Sequence, residues 1–246
     1  MIQVRGLDTL IKDYGEGEQT VLLLHGWGGT NANFAGVSNE LQSHFRVITP
    51  DLWGFGLSKT PPSNFTIYDY AEHIVTLLSV LKIEKVHIIG HSFGGRIGII
   101  MANRYPDKVK SLILLDSAGI RPRLTFAKKR QIRAYQNMKR LVQEGKEDGL
   151  ELRRFGSIDY QELNNDMQQI FVSVVNEDLT NEIKNIKIPT MIVWGKKDTE
   201  TPPRMAKKIN RLIVNSKLFW LMGGHYAYLT EQKEFLKLCY KFWEEL

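Results

Sequence analysis

The chain has 246 residues, 43% hydrophobic and 24% charged, which suits one large globular domain and excludes a disordered or fibrous chain. No apolar run approaches membrane-spanning length, and Met1-Ile2-Gln3-Val4-Arg5-Gly6 lacks the regions of a signal peptide, so a cytoplasmic protein is expected. The net charge of +6 is local: residues 121–150 hold nine Lys or Arg against three Asp or Glu, a surplus equal to the whole imbalance, which argues against nucleic-acid binding.

Residues 1 to 20 read as two short strands around Gly6 and the Gly15-Glu16-Gly17 turn. Val21-Leu22-Leu23-Leu24 is a continuous apolar run, the signature of a strand buried on both faces of a parallel sheet. The loop His25-Gly26-Trp27-Gly28-Gly29-Thr30 follows, then a helix from about Asn33 to Ser43 and a strand at Arg46-Val47-Ile48-Thr49. A glycine-punctuated loop, residues 51–58, leads to Ile67, Tyr70, Ala71, Ile74, Leu78 and Leu81, which share one helical face. Lys85 to Ile89 is strand-like and Arg96 to Tyr105 helix-like. Val109 to Leu115 predicts another buried strand, closing at Asp116-Ser117-Ala118-Gly119.

From about residue 120 to 187 no convincing strand occurs. Ala134, Tyr135, Met138, Leu141 and Val142 form one helical stripe, and Met167, Ile170, Phe171, Val174 and Val175 another. This stretch is expected to be a helical insertion (120–187) in a core formed by 1–119 and 188–246. The core resumes with a strand from Pro189 to Trp194, a helix near Pro202 to Leu212, a strand from Lys217 to Leu221 and a helix from Ala227 to Glu244. Strands alternating with helices argue for an α/β fold with a mostly parallel sheet. The single cysteine, Cys239, excludes an intramolecular disulfide, and it shares an apolar stripe with Phe235, Leu236, Phe242 and Trp243 that predicts a buried thiol.

Gly90-His91-Ser92-Phe93-Gly94-Gly95 lies between a strand and a helix, the context of a G-x-S-x-G nucleophile elbow. Strand and helix pass so close there that glycine is required on both sides of the serine. A serine needs a base to take its proton, and the base needs an acid to orient it, on loops at the carboxyl ends of neighbouring strands. Of the six histidines, only His225, in Met222-Gly223-Gly224-His225, combines a strand-end loop with flanking glycines. His44 and His73 lie on helices and are expected to face solvent, His87 lies within a strand, and His91 is expected to point away from the site. His25 suits organisation of its loop by hydrogen bonds. Asp198 is the favoured acid; Asp116, which also ends a strand, is its rival and otherwise a structural hydrogen-bonding group, while Asp51 ties its own loop. For the oxyanion, the N–H of Phe93 and that of Trp27 are the candidate donors. The loop 25–30 lacks both the Walker lysine and the G-x-G-x-x-G spacing, and no metal-ligand cluster occurs, so neither cofactor nor metal is expected.

Together, residues 24–29, 51–58, 90–95, 194–198 and 223–225 resemble the α/β-hydrolase superfamily in content and order. The resemblance implies an eight-stranded, mostly parallel sheet with a helical cap between its sixth and seventh strands. Serine at the nucleophile position departs from haloalkane dehalogenases and epoxide hydrolases, which carry aspartate. Within the superfamily the sequence looks most like small bacterial carboxylesterases, implying ester hydrolysis through an acyl-enzyme by Ser92, His225 and Asp198. Acyl transfer and C–C bond hydrolysis reuse the same triad, and some proteins of this fold are ligand receptors or signalling regulators. Tyr135, Met138, Met167 and Phe171 are the cap residues expected to line a small-molecule ester site beside Trp27 and Phe93. The basic segment (Arg121, Arg123, Lys128, Lys129, Arg130, Arg133, Lys139, Arg140, Lys146) is either a solvated helix face or a dock for an acidic partner.

Overall fold

The computed structural model describes residues 1–121, 126–146, 160 and 163–246. Two short strands, β1 (Ile2–Val4) and β2 (Leu7–Thr9), form a separate antiparallel ribbon. The main sheet contains β3 (Ile11–Tyr14), β4 (Thr20–Leu24), β5 (Arg46–Pro50), β6 (Val86–His91), β7 (Val109–Leu115), β8 (Thr190–Gly195) and β9 (Lys217–Leu221). Their spatial order is β3-β5-β4-β6-β7-β8-β9, with β3 antiparallel to β5 and every other pair parallel. The fold class is as expected, but this sheet has seven strands among the described residues, not eight. The chain reverses at Arg5 and Gly6, both at positive φ, and the first two strands pair with each other, away from the sheet.

The central strands are buried on both faces, which explains their continuous apolar runs. Alternate residues enter two separate cores: Leu22, Leu24, Ile88, Leu112 and Leu114 on one side, Val21, Leu23, Ile89, Ile113 and Leu115 on the other. The first side is covered by α2 (Ile67–Val80), α3 (Phe93–Arg104) and α7 (Pro203–Leu212). Helix α1 (Ala35–Leu41) and the C-terminal α8 (Ala227–Thr230) and α9 (Gln232–Glu244) cover the second, where Cys239 is fully buried. The expected single helix from 227 to 244 is thus broken at Glu231, whose φ of −118 and ψ of 41 leave the helical region. Helix α2 starts sharply because Thr66 and Asp69 form a capping box, each side chain bonding the other's backbone N–H. His73, on that helix, is buried and not solvent-facing: its Nδ1 lies 2.9 Å from the Asp69 carbonyl and its ring packs on Trp53 and Phe65.

Within 120–187 the described elements are helices: α4 (Phe126–Gln143), α5 (Asn165–Asn176) and α6 (Thr180–Lys184). Helix α5 is capped by Asn164, whose side chain accepts from the Met167 N–H at 2.9 Å, and it buries Met167, Ile170 and Val174 in the first core. Leu179, Ile183 and Ile186 join the same core, so the end of the expected insertion packs with the main body. Among the described residues no helix is long and apolar enough to cross a membrane.

Candidate active site

Strand β6 delivers the serine. Gly90 pairs with Leu24 on one side and Leu114 on the other, so the turn leaves from the middle of the sheet. Ser92 then adopts φ 49 and ψ −106, a strained conformation that costs about 1–3 kcal/mol and persists only where the surroundings fix it. Here they do: the Ser92 N–H donates to the Leu115 carbonyl at 3.0 Å, and its carbonyl accepts from the N–H groups of Gly95 and Ala118, both at 3.1 Å. A Cβ on Gly90 would lie 2.6 Å from the Gly94 carbonyl oxygen, and one on Gly94 would run into the Leu24 carbonyl. The two glycines are therefore steric requirements of the elbow.

The loops after β8 and β9 bring Asp198 and His225 together, with Nδ1 of His225 2.9 Å from Oδ2 of Asp198. Asp198 also accepts from the N–H groups of Glu200 (2.8 Å) and Thr201 (3.0 Å) and from the Thr201 hydroxyl (2.5 Å). Burial pushes its carboxyl up, but the hydrogen bonds from His225 and Thr201 outweigh that and hold it below the ordinary carboxylate range. Because Nδ1–H is committed to the carboxylate, Nε2 of His225 is the atom left with a lone pair. It lies 3.4 Å from Oε2 of Glu200. Among the described residues no hydrogen bond joins Ser92 Oγ to His225, yet both line one cavity of about 550 Å³.

Asp116, the rival acid, lies beneath this pair: ligand atoms of Asp116, Asp198 and His225 all fall within 4.8 Å of one another. Its Oδ1 accepts from the Gly195 N–H at 2.7 Å. Burial first, then the neighbouring Asp198 carboxyl, pushes its own carboxyl up to about 9, so it is protonated at neutral pH and can donate to Asp198. An acid and its conjugate base thus sit side by side. Two carboxyls and one imidazole fall short of the closed donor set of a resident metal, and each is already engaged in hydrogen bonding.

The other side chains find structural tasks. His25 accepts from the Leu52 N–H on Nε2 at 2.9 Å, which leaves Nδ1–H to donate to the Gly26 carbonyl at 2.7 Å. It is buried, and burial lowers it to about 4, so it is neutral at pH 7. Asp51 accepts from the N–H groups of Asn31 (2.7 Å) and Leu57 (3.0 Å), binding its loop to the one after β4. His91 departs from expectation. It does not point away from the site but forms part of the cavity wall, bonding the His225 carbonyl at 2.9 Å with rings 4.7 Å apart. Burial lowers it to about 3, so it supports His225 as an uncharged ring.

The N–H groups of Trp27 and Phe93 have no acceptor among the described residues, and both residues line the cavity. Phe171 lines it too, its ring edge-on to Trp27 at 5.1 Å. The other expected lining residues do not reach it. Met167 is turned into the core against Gly54, where no side chain stands in its way, and Tyr135 and Met138 on α4 are outside the wall. Tyr135 instead hydrogen-bonds the Tyr160 phenol, which burial and that bond push up to about 12. Sequence reasoning missed Arg96, Glu200 and Thr201 in the wall. Arg96 did leave a signal: it is the one charge in the otherwise apolar stretch Phe93 to Ala102, four residues after Ser92. Arg123 and the side chains of Lys128 and Lys129 lie outside the described residues.

A serine on a strained strand-to-helix turn, with a His–Asp pair presented by loops after later parallel strands, defines a class of hydrolases built on one sheet. The chain belongs to the alpha/beta hydrolase fold family, whose model matches residues 19–232. It is 27% identical to the 2-hydroxy-6-oxo-2,4-heptadienoate hydrolase of Pseudomonas putida F1, over 98% of this chain and 95% of that one. Among solved structures it is similar to a meta-cleavage product hydrolase of Pseudomonas fluorescens IP01, with TM-score 0.76, 28% identity, and 98% and 96% of the two chains covered. An esterase of Exiguobacterium antarcticum gives TM-score 0.78 at 25% identity, with 98% and 97% covered. Esterases, lipases and C–C bond hydrolases are therefore all among its relatives.

Proposed function

We propose that the chain is a serine hydrolase of carboxylic esters. The observation that carries the reading is that His225, held 2.9 Å from Asp198, lines the same cavity as Ser92 at its strained elbow. Ser92 Oγ attacks the ester carbonyl carbon while Nε2 of His225 takes its proton. Asp198 holds the ring in the tautomer that leaves Nε2 basic and stabilises the imidazolium. The N–H groups of Trp27 and Phe93, which have no acceptor among the described residues, receive the charge on the tetrahedral oxygen. His225 then protonates the departing alcohol, leaving an acyl group on Ser92. Water, deprotonated by His225, attacks that acyl carbon, and the acid leaves as Ser92 regains its proton. p-Nitrophenyl esters of graded acyl length, given to wild type and Ser92→Ala, test this. Turnover in wild type that drops to background in the variant supports it, and absence of turnover in wild type on every ester refutes it.

A second reading, C–C bond hydrolysis with the same residues, is favoured by the near full-length similarity to a 2-hydroxy-6-oxo-2,4-heptadienoate hydrolase. That dienoate is the discriminating substrate: faster cleavage of it than of any simple ester would put this reading first.

A further inference from the structure

Apart from the titratable histidines, Arg96 is the one cation in the cavity wall among its described lining residues, and Glu200 is the one acidic side chain there. It is only 5% exposed. Its guanidinium has five N–H donors. Among the described residues it makes a single bond, from Nη1 to the Glu177 backbone carbonyl at 2.9 Å, and no carboxylate ion pair. The two acids whose charge acts on it are engaged elsewhere: Glu177 accepts from the Tyr68 hydroxyl at 3.0 Å, and Asp178 from the N–H groups of Arg121 (3.0 Å) and Thr180 (2.9 Å). Buried charges in folded proteins are ordinarily paired, because an unpaired one forfeits its hydration for nothing. Burial lowers the guanidinium only to about 10, with Glu177 and Asp178 opposing the fall, so it stays cationic at neutral pH. Its place on the fold is also specific. Ser92 stands at the N-terminus of α3 and Arg96 follows one turn later, both in the wall of the same cavity.

We propose that Arg96 anchors a carboxylate on the substrate, so that the cavity takes short esters, or related acyl compounds, carrying an anionic group a few bonds from the carbonyl that Ser92 attacks. The planar fork suits the two oxygens of one carboxylate, and with Glu200 in the same wall it suits a monoanion better than a dianionic phosphate. The inference rests on the reading of Ser92 as nucleophile. Its test is therefore a binding measurement that needs no turnover, so that failure of ester hydrolysis and failure of anion recognition are told apart.

The probes are monomethyl glutarate and dimethyl glutarate, which differ by one negative charge. Their dissociation constants are measured by calorimetry on Ser92→Ala, and on Ser92→Ala carrying R96Q. The expected result is at least tenfold tighter binding of the monoanion to Ser92→Ala, with the two ligands levelled by R96Q. Equal binding of both ligands to Ser92→Ala, no binding of either at tens of millimolar, or a monoanion advantage that survives R96Q would each overturn the proposal. The first comparison leaves Arg96 in place, so it does not depend on how R96Q folds. Thermal melting checks the variant, and if R96Q does not melt cooperatively R96K replaces it. A threefold or larger loss of the advantage is then expected, since an ammonium cannot form the two-point contact, and an unchanged advantage overturns the proposal.

Discussion

Helices α3 and α4 make opposite uses of apolar sequence. In α3 every residue from Phe93 to Ala102 is buried, Arg96 included, and the helix is wedged against β4, β6 and β7. In α4 none of the described side chains is buried: of its expected stripe, Tyr135, Met138, Leu141 and Val142 are only half covered and Ala134 is exposed. A helical period alone therefore does not say how firmly a helix is held. What distinguishes α3 is a backbone that could go nowhere else: glycines at the crossings and hydrogen bonds at both ends of Ser92.

The largest expected effect lies at the tip of α3. Ser92→Ala should lower ester turnover by about 10⁴–10⁶-fold with little change in melting temperature, since its hydroxyl makes no hydrogen bond among the described residues and the backbone restraints remain. A measurable residual rate within tenfold of wild type would mean that the elbow is a turn and nothing more. Gly94→Ala comes next. Its Cβ meets the Leu24 carbonyl, a backbone atom that cannot swing aside, so a stability loss of about 4 kcal/mol or more is expected in denaturant titration.

Asp116→Asn has a smaller effect and a sign that depends on pH. The folded carboxyl, at about 9, lies above its ordinary value of 3.8, so between these the native chain holds a proton that the unfolded chain has lost. Stability from this group is complete below pH 3.8 and falls as pH rises towards 9. An asparagine presents the same acceptor to Gly195 and a permanent donor to Asp198. Melting curves should show the variant gaining on wild type from pH 5 to pH 8.5 while keeping its activity; a gap that does not change with pH would remove the protonated Asp116. Smallest of all is Met138→Ala on α4. Its side chain is half exposed and outside the cavity wall, so a change of less than about 1 kcal/mol and unaltered ester preference are expected. An effect as large as that of Gly94→Ala would erase the contrast between the two helices.

The same contrast explains what the sequence disclosed. The elbow, the strand-end positions of Asp198 and His225 and the mostly parallel sheet rest on short-range rules, where steric need leaves a mark such as the glycines beside Ser92 and His225. The residues it misplaced depend on long-range packing. His73 looks solvent-facing by position on α2, but Trp53 and Phe65 close over it from another loop. Met167 has the chemistry of a cavity wall, yet the empty space at Gly54, over a hundred positions away in sequence, draws it into the core. Likewise, no local pattern says that Tyr135 and Met138 stand apart from the cavity while Phe171 meets Trp27.

The burial of Cys239 has a practical reach. As the only thiol, fully enclosed by the C-terminal helix and held protonated far above its ordinary range, it is shielded from alkylating reagents while the fold is intact. A cysteine introduced on the exposed side of α4 would then be the sole target of a maleimide dye in the native protein. Fluorescence from that position could follow α4 as ligands enter, with no native residue removed to make the labelling specific, and the silent thiol would report unfolding by the moment it begins to react.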